Sequence, residues 1–208
     1  CRLTYYGFNS LQLIDPDGSK PFDSARRGMS VGEGAAFLLL SGREEDSPFA
    51  MAEVMGSGMS CDAYHPASPH PDGEGALKAM TAALKNAGIT PAGIDYVNLH
   101  GTGTVENDRA EGRALFALFG SDLPFLSSTK GATGHALAAS GAVEAVLSCI
   151  ALSEGIVPGT VGCTSPDAEI PVTPLLSDLQ HPVRCVLSNS FGFGGNNAAI
   201  VLSQPRIL

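Results

Sequence analysis

An α/β layered domain with a mixed sheet is the fold class that this sequence predicts. Strand and helix patterns alternate between residues 94 and 153, and two further strand patterns, 183–187 and 198–202, close the chain. The two closing runs are short, apolar and rich in β-branched residues. Glycines at 192, 194 and 195 join them, as in a tight turn between buried strands. With 208 residues, 44% of them apolar and 16% charged, the chain can build one full core. No repeat, low-complexity tract or linker divides it, so residues 1–208 read as one domain.

The elements follow in order. Residues 15–34 are turn-rich and polar and feed Ala35-Ala-Phe-Leu-Leu-Leu40, which reads as a buried strand. Arg43 to Pro48 is a charged turn, and Phe49 to Gly58 reads as the next strand. Asp62 to Asp72 contains His65, Pro66, Pro69, His70 and Pro71 without periodicity, which predicts a loop. From Gly73 to Ala87 the residues Ala76, Leu77, Met80, Ala83, Leu84 and Ala87 fall at helical spacing, and Gly88 with Pro91 closes the helix. Ile94 to Leu99 is a strand and His100 to Thr104 a turn. Asn107 is the expected cap of a helix that runs to Phe119 and stops at Gly120. Pro124 to Ser128 is a short strand. Lys130 to His135 is a second polar turn, opening a helix from about Ala136 to Ser153. That helix is almost wholly apolar or small, which predicts a central position, and its Glu144 then needs a partner.

Charge and cysteine usage narrow the function. A net charge of −9 without a basic run argues against nucleic acid and against an anionic membrane surface. No window approaches 18 uninterrupted apolar residues, so no membrane span is expected. Cysteines 1, 61, 149, 163 and 185 are odd in number, scattered and free of any C-x-x-C pair. That argues against a disulfide framework or a zinc site and for a reducing, cytoplasmic setting. The first residues lack both a signal-peptide order and an initiator methionine, so further sequence is expected in front of Cys1.

Three turns share one placement, each directly after a strand. In open α/β sheets ligands bind at the carboxyl ends of strands, so these turns are expected to bring His100, Lys130, His135 and the Phe193 backbone to one pocket. Neutral imidazoles and glycine-turn amides can donate hydrogen bonds to an oxygen that gains negative charge, and Lys130 would raise the local potential. Such a set suits an enolate or a tetrahedral oxyanion at a thioester or ester carbonyl. Against it stands the plainer reading of Phe191 and Phe193 as aromatic plugs in a glycine hairpin.

Asn98-Leu-His-Gly-Thr-Gly-Thr104, Ser128-Thr-Lys-Gly-Ala-Thr-Gly-His135 and Ser188-Asn-Ser-Phe-Gly-Phe-Gly-Gly-Asn-Asn197 resemble three motifs of the β-ketoacyl-acyl-carrier-protein synthases, elongating condensing enzymes of the thiolase-like superfamily. Pro21-Phe-Asp23, Arg26, Gly28 and Gly32-Glu-Gly-Ala35 resemble the segment that precedes those motifs. The resemblance covers nearly the whole chain. It implies the C-terminal half of the thiolase-like αβαβα sandwich, with a mixed five-stranded sheet and helices on both faces. It also implies acyl carrier protein as partner, a homodimeric full-length parent and no organic cofactor. His100 would assist decarboxylation of a malonyl extender and His135 would donate to its thioester oxygen. Lys130 would tune the pair through Glu144, and the Phe193 amide would serve an oxyanion hole. The Phe193 ring would gate the acyl pocket, with Phe191 behind it and Gly194 beside it. Thr102, Thr104 and Asn189 would support the site. Asn98, Glu144, Ser188 and Asn189 match positions where family members can hold a structural monovalent or divalent cation, although Glu144 could equally pair with Lys130. Asp108 and Glu111 match acidic positions near the family's site, yet acids at a helix start are favoured by its dipole alone.

One departure stands out. The family's nucleophilic cysteine, at a helix start in the N-terminal half, has no counterpart here, and all five cysteines read as non-catalytic. Asn196 replaces the usual threonine or serine after the glycine pair. The chain is therefore expected to handle negative charge but to condense nothing alone. A nucleotide-binding turn at His100–Thr104 lacks the third glycine and the lysine order that phosphate loops require. A chain-length-factor-like partner subunit remains an alternative, against which the retained histidines and lysine count. Those paired histidines also favour the decarboxylating type over a thiolase or chalcone-synthase relative.

Overall fold

The computed structural model describes residues 1–43 and 48–205. After α1 (Arg2–Ser10) comes a long irregular stretch, then β1 (Glu53–Cys61), α2 (Glu74–Ala87), β2 (Tyr96–Asn98), α3 (Val105–Phe119) and β3 (Phe125–Ser127). A one-turn α4 (Lys130–Thr133) and a 3₁₀ turn, Leu137–Ala139, lead into α5 (Ser140–Glu154). The two-residue strands β4 (Ile156–Val157) and β5 (Leu179–Gln180) pair with each other. β6 (Cys185–Gly192) and β7 (Asn196–Ser203) complete the chain.

The main sheet has five strands in the order β1-β7-β6-β2-β3. β1, β7 and β6 pair antiparallel, whereas β6, β2 and β3 run parallel, so the sheet is mixed as expected. Asn98 pairs with Ser188 on one side and Ser127 on the other, which aligns the three parallel strands. β6 then continues four residues past that line and carries its turn over the strand ends.

Helices cover both faces. On one, Met80, Ala83 and Leu84 of α2 and Leu115 of α3 pack with Leu99, Leu187 and Val201. Gly56 and Gly58 let α2 lie directly on β1: a Cβ at Gly58 would stand 2.2 Å from the Ala79 carbonyl oxygen. On the other face, Ala145, Cys149 and Leu152 of α5 bury against Tyr96, Val186 and Leu202. The stretch Leu137–Glu154 is long and apolar enough to cross a membrane by length and composition alone. Here one side of it is sheet-packed while Ile150 stays exposed, so the expected central helix is covered on one side only.

Several elements differ from their sequence reading. Ala35–Leu40 is irregular rather than a strand. Phe37 and Leu39 are almost fully exposed, and no strand among the described residues pairs with this segment's main chain. The strand placed at Phe49–Gly58 begins at Glu53 and extends to Cys61, where Asp62 ends it by bonding to the Gly195 carbonyl. Of the turn at Arg43 to Pro48, residues 44–47 lie outside the described residues. Thr104, not Asn107, is the N-cap of α3. Asn107 lies inside the first turn and donates to Asp108. The closing strands are longer than their apolar runs, so Phe191 sits in β6 and only Phe193 in the turn.

Candidate active site

The parallel strands deliver their side chains to one edge, and the chemistry begins where β2 stops. Leu99 still bonds to Ser127 on β3, and the chain then turns at His100 and Gly101. Both amides, at 2.8 Å each, donate to the Glu111 carboxylate on α3. Asn189 of β6 donates to the same carboxylate at 3.1 Å, and Ser128 donates to the Gly101 carbonyl at 2.7 Å. Burial pushes the Glu111 carboxyl up to about 7, against the lowering effect of those donors. Three residues upstream, Asp108 accepts from the amides of Phe22 (2.8 Å) and Gly103 (3.2 Å), with Arg26 Nε 3.7 Å away. Both acids are fully buried braces of the His100 turn. Asp108 stays in the first turn of α3, where the dipole favours it as well, whereas Glu111 lies a turn further on and is placed by its main-chain bonds.

Lys130 follows β3 and is buried against its neighbours. Its ammonium forms an ion pair with Glu144 of α5, stands 3.4 Å from His100 Nδ1, and also bonds to the His100 carbonyl. An ammonium can only donate, so His100 Nδ1 accepts and the ring proton lies on Nε2. Burial first, then Lys130 and His135, hold the His100 imidazolium well below the ordinary histidine range. Burial raises the Glu144 carboxyl, which Lys130 opposes.

His135 comes from the far end of the same turn. Its amide bonds to Ser30 O at 2.8 Å, and Gly32 returns a bond to its carbonyl at 3.0 Å. Its Nδ1 lies 2.9 Å from Ser140 Oγ and 3.3 Å from the Leu137 amide. Burial, and secondarily Lys130, lower its pKa to about 4. The two imidazoles meet edge to face with centroids 5.3 Å apart, and the Phe191 ring lies 5.7 Å from His100.

A cavity of about 600 Å³ opens here, lined by His100, His135, Thr102, Thr104, Phe191 and Phe193 together with the apolar Phe8 and Met29. The Thr102 and Thr104 hydroxyls are 2.9 Å apart. Lys130 and Glu144 are not among its lining residues; they stand behind His100. Phe193 is half exposed and rests 5.7 Å from the Phe8 ring. Gly194, at φ +78°, bonds through its amide to Pro66 O. Asp62 accepts from Asn197 at 2.7 Å and from the His70 amide at 2.8 Å, and so ties this turn to the 62–72 loop.

The structure thus brings His100, Lys130, His135, Phe191, Phe193 and Glu144 together. Asn189 supports the Glu111 brace rather than the glycine turn beyond it. Sequence reasoning missed Asp62 and Ser140 altogether. An aspartate directly after a strand and a serine five residues past a motif histidine are the faint signals it could have used. Burial raises the thiol pKa of Cys149, and it pushes those of Cys163 and Cys185 up to about 11, unlike that of an activated nucleophile.

Residues 51–164 match the family model for the C-terminal domain of β-ketoacyl synthases, and the chain belongs to that family. It is 42% identical over 197 residues to the mitochondrial 3-oxoacyl-[acyl-carrier-protein] synthase of Arabidopsis thaliana, covering 90% of this chain and 43% of that one. To 3-oxoacyl-[acyl-carrier-protein] synthase 2 of Rhizobium meliloti it is 40% identical, over 98% of this chain and 51% of the relative. The ishigamide ketosynthase/chain length factor structure superposes with a TM-score of 0.93 at 34% identity, covering 98% of this chain and 51% of that one. The chain spans about half the length of these relatives.

Proposed function

We propose that this chain is the charge-handling, C-terminal half of a 3-oxoacyl-acyl-carrier-protein synthase, an acyltransferase of fatty acid or related polyketide assembly. The single observation that supports this best is the pair of imidazoles from two turns, 5.3 Å apart at one cavity, with the Lys130 side chain behind His100. In the proposed reaction the C–C bond between the malonyl methylene and its carboxylate breaks. Carbon dioxide leaves, and the electron pair delocalises onto the thioester oxygen as an enolate. His135 donates to that oxygen and His100 assists the decarboxylation. Burial and the Lys130 charge keep both rings neutral, so they act as donors without becoming acids. The enolate carbon then attacks an acyl thioester on a cysteine of the N-terminal half. The Phe193 amide meets the resulting oxyanion, which collapses to expel the thiolate. The Phe193 ring, with Phe191 behind it, gates the acyl pocket.

Acyl carrier protein delivers both thioesters, the full-length protein is a homodimer, and the isolated chain condenses nothing. A hard cation takes oxygen ligands, and the buried Asn98 Oδ1, Asn189 Oδ1 and Glu144 Oε2 have no hydrogen-bond partner among the described residues. Asn189 bonds Met80 and Glu111 on the α2–α3 face of the sheet, whereas Glu144 lies on α5 at the opposite face, so these three side-chain oxygens do not converge on one ion. The retained histidines and lysine favour a condensing subunit over a chain-length-factor-like one. In the full-length protein, His135→Ala should abolish malonyl decarboxylation and leave acylation of the cysteine intact. Parallel loss of both activities would refute the division of roles.

A further inference from the structure

We propose that Ser140 is a positioning residue for His135. Its hydroxyl donates to the ring Nδ1 and thereby keeps the proton on Nε2, the nitrogen left free for the cavity. The inference starts from the second contact. The Leu137 main-chain N–H lies 3.3 Å from His135 Nδ1 and can only donate, so Nδ1 carries no proton. A hydroxyl 2.9 Å from an unprotonated nitrogen must then be the donor. Ser140 is the first residue of α5, with helical φ −53° and ψ −52°, and makes no capping bond to the helix amides. A serine at a helix start ordinarily serves the main chain. Here the hydroxyl is buried and aimed at a ring instead.

The two histidines are held in the same sense by different means. Lys130 donates to His100 Nδ1 from behind, while His135 has no cationic neighbour within bonding distance among the described residues and relies on Leu137 and Ser140. Of the charged and titratable groups packed around it, His100 faces it from the β2 turn, and Lys130 acts from the start of α4. Glu144 on its own helix is tied to Lys130. Without the hydroxyl, one long amide contact would have to fix both the tautomer and the ring flip. Importance for catalysis rests on the synthase reading above; the tautomer assignment does not.

The test uses protein labelled with ¹⁵N at histidine, with Ser140→Ala and Ser140→Thr. In the unaltered chain the His135 ring should show a single Nε2–H tautomer down to acid pH. Ser140→Ala, which suits a helix start sterically, should mix tautomers and move the His135 titration upward, and Ser140→Thr should restore both. In the full-length synthase Ser140→Ala should lower kcat for malonyl decarboxylation roughly twofold to tenfold, the size of one net hydrogen bond, with KM unchanged. His135 ring signals in Ser140→Ala identical to the unaltered chain would overturn the proposal. So would changed ring signals with unaltered kcat, provided His135→Ala abolishes decarboxylation. Full decarboxylation by His135→Ala would instead sink the synthase reading and leave the tautomer result intact.

Discussion

Glu111 offers the sharpest test of how the His100 turn is held. Its carboxylate accepts three hydrogen bonds, yet full burial outweighs them and pushes its pKa from 4.5 to about 7. A carboxyl with a raised folded-state pKa holds its proton in the folded chain after the unfolded chain has lost it. Stability therefore falls as pH rises from 4.5 to about 7 and is flat above that. The interval is 7 − 4.5 = 2.5, and at about 1.36 kcal/mol for each step it amounts to roughly 3 kcal/mol. Glu111→Gln removes the titration. It keeps one acceptor for the His100 amide and Asn189 but turns an NH₂ towards the Gly101 amide, which adds a constant, pH-independent penalty of about 1–3 kcal/mol. Urea unfolding of both proteins across this range, at a dilution free of light scattering, yields a difference curve in which the groups not coupled to Glu111 cancel, Asp108 being the coupled one. The unaltered chain should lose about 3 kcal/mol relative to the variant between pH 4.5 and 7. A flat difference curve would show that the main-chain donors keep Glu111 ionised and that burial does not dominate.

Four other outcomes are expected. His135, lowered from 6.5 to about 4, shifts in the opposite sense. Stability should be lost as pH falls from 6.5 to about 4, and His135→Gln should remove the His135 share of that limb while the share of His100, also held well below 6.5, remains. Lys130→Met or Glu144→Leu alone leaves an unpaired buried charge and should cost about 3–5 kcal/mol, whereas the two together should recover most of it, as a double-mutant cycle would reveal. Gly58→Ala should sit at the upper end of the roughly 1–3 kcal/mol that overpacking costs, read as a drop in unfolding midpoint, because its Cβ meets the α2 main chain. The isolated chain should self-associate through Phe37, Leu39 and Met59, and a monodisperse monomer in light scattering would contradict this.

The sequence was most legible where local chemistry and tertiary packing agree. Ala76, Met80, Ala83 and Leu84 announce α2 by their spacing, and the fold buries that stripe. The motif histidines were legible through their placement after apolar strands, because parallel strands that start in register also end together. Ala35–Leu40 shows the limit. Its composition says strand, but a strand needs a partner for its amides, and propensity does not say whether one is present. Thr104 and Asn107 are both acceptable caps, and three residues of turn geometry decide between them. The bonds of Asp62 and Glu111 were illegible for another reason, although Glu111 was singled out through the resemblance. Their partners, Asn197 and the His100–Gly101 amides, are distant in sequence or belong to the main chain, so no spacing rule connects them.

The same bonds predict that the two sides of the cavity differ in rigidity. The His100 turn is fixed by a buried carboxylate, a serine hydroxyl and an ammonium, each bonded to its main chain. Displacing that turn would strip the buried Glu111 carboxylate of both its main-chain donors and leave the Lys130 ammonium with Glu144 alone, in an interior where water cannot replace the lost bonds. The Phe193 turn is fixed by the Pro66 carbonyl and by Asp62, both on an irregular and largely exposed loop. Breaking those bonds exposes groups that water can satisfy, so its net cost is about 1 kcal/mol for each bond lost. Donors that must meet developing charge need the first arrangement, since their value lies in not reorganising. On the proposed reading the Phe193 ring gates an acyl pocket, and a ring that substrate must pass needs the second. Both arrangements are built from the ends of neighbouring strands, β2 and β6, and the carboxylate or loop that each end bonds to sets the difference.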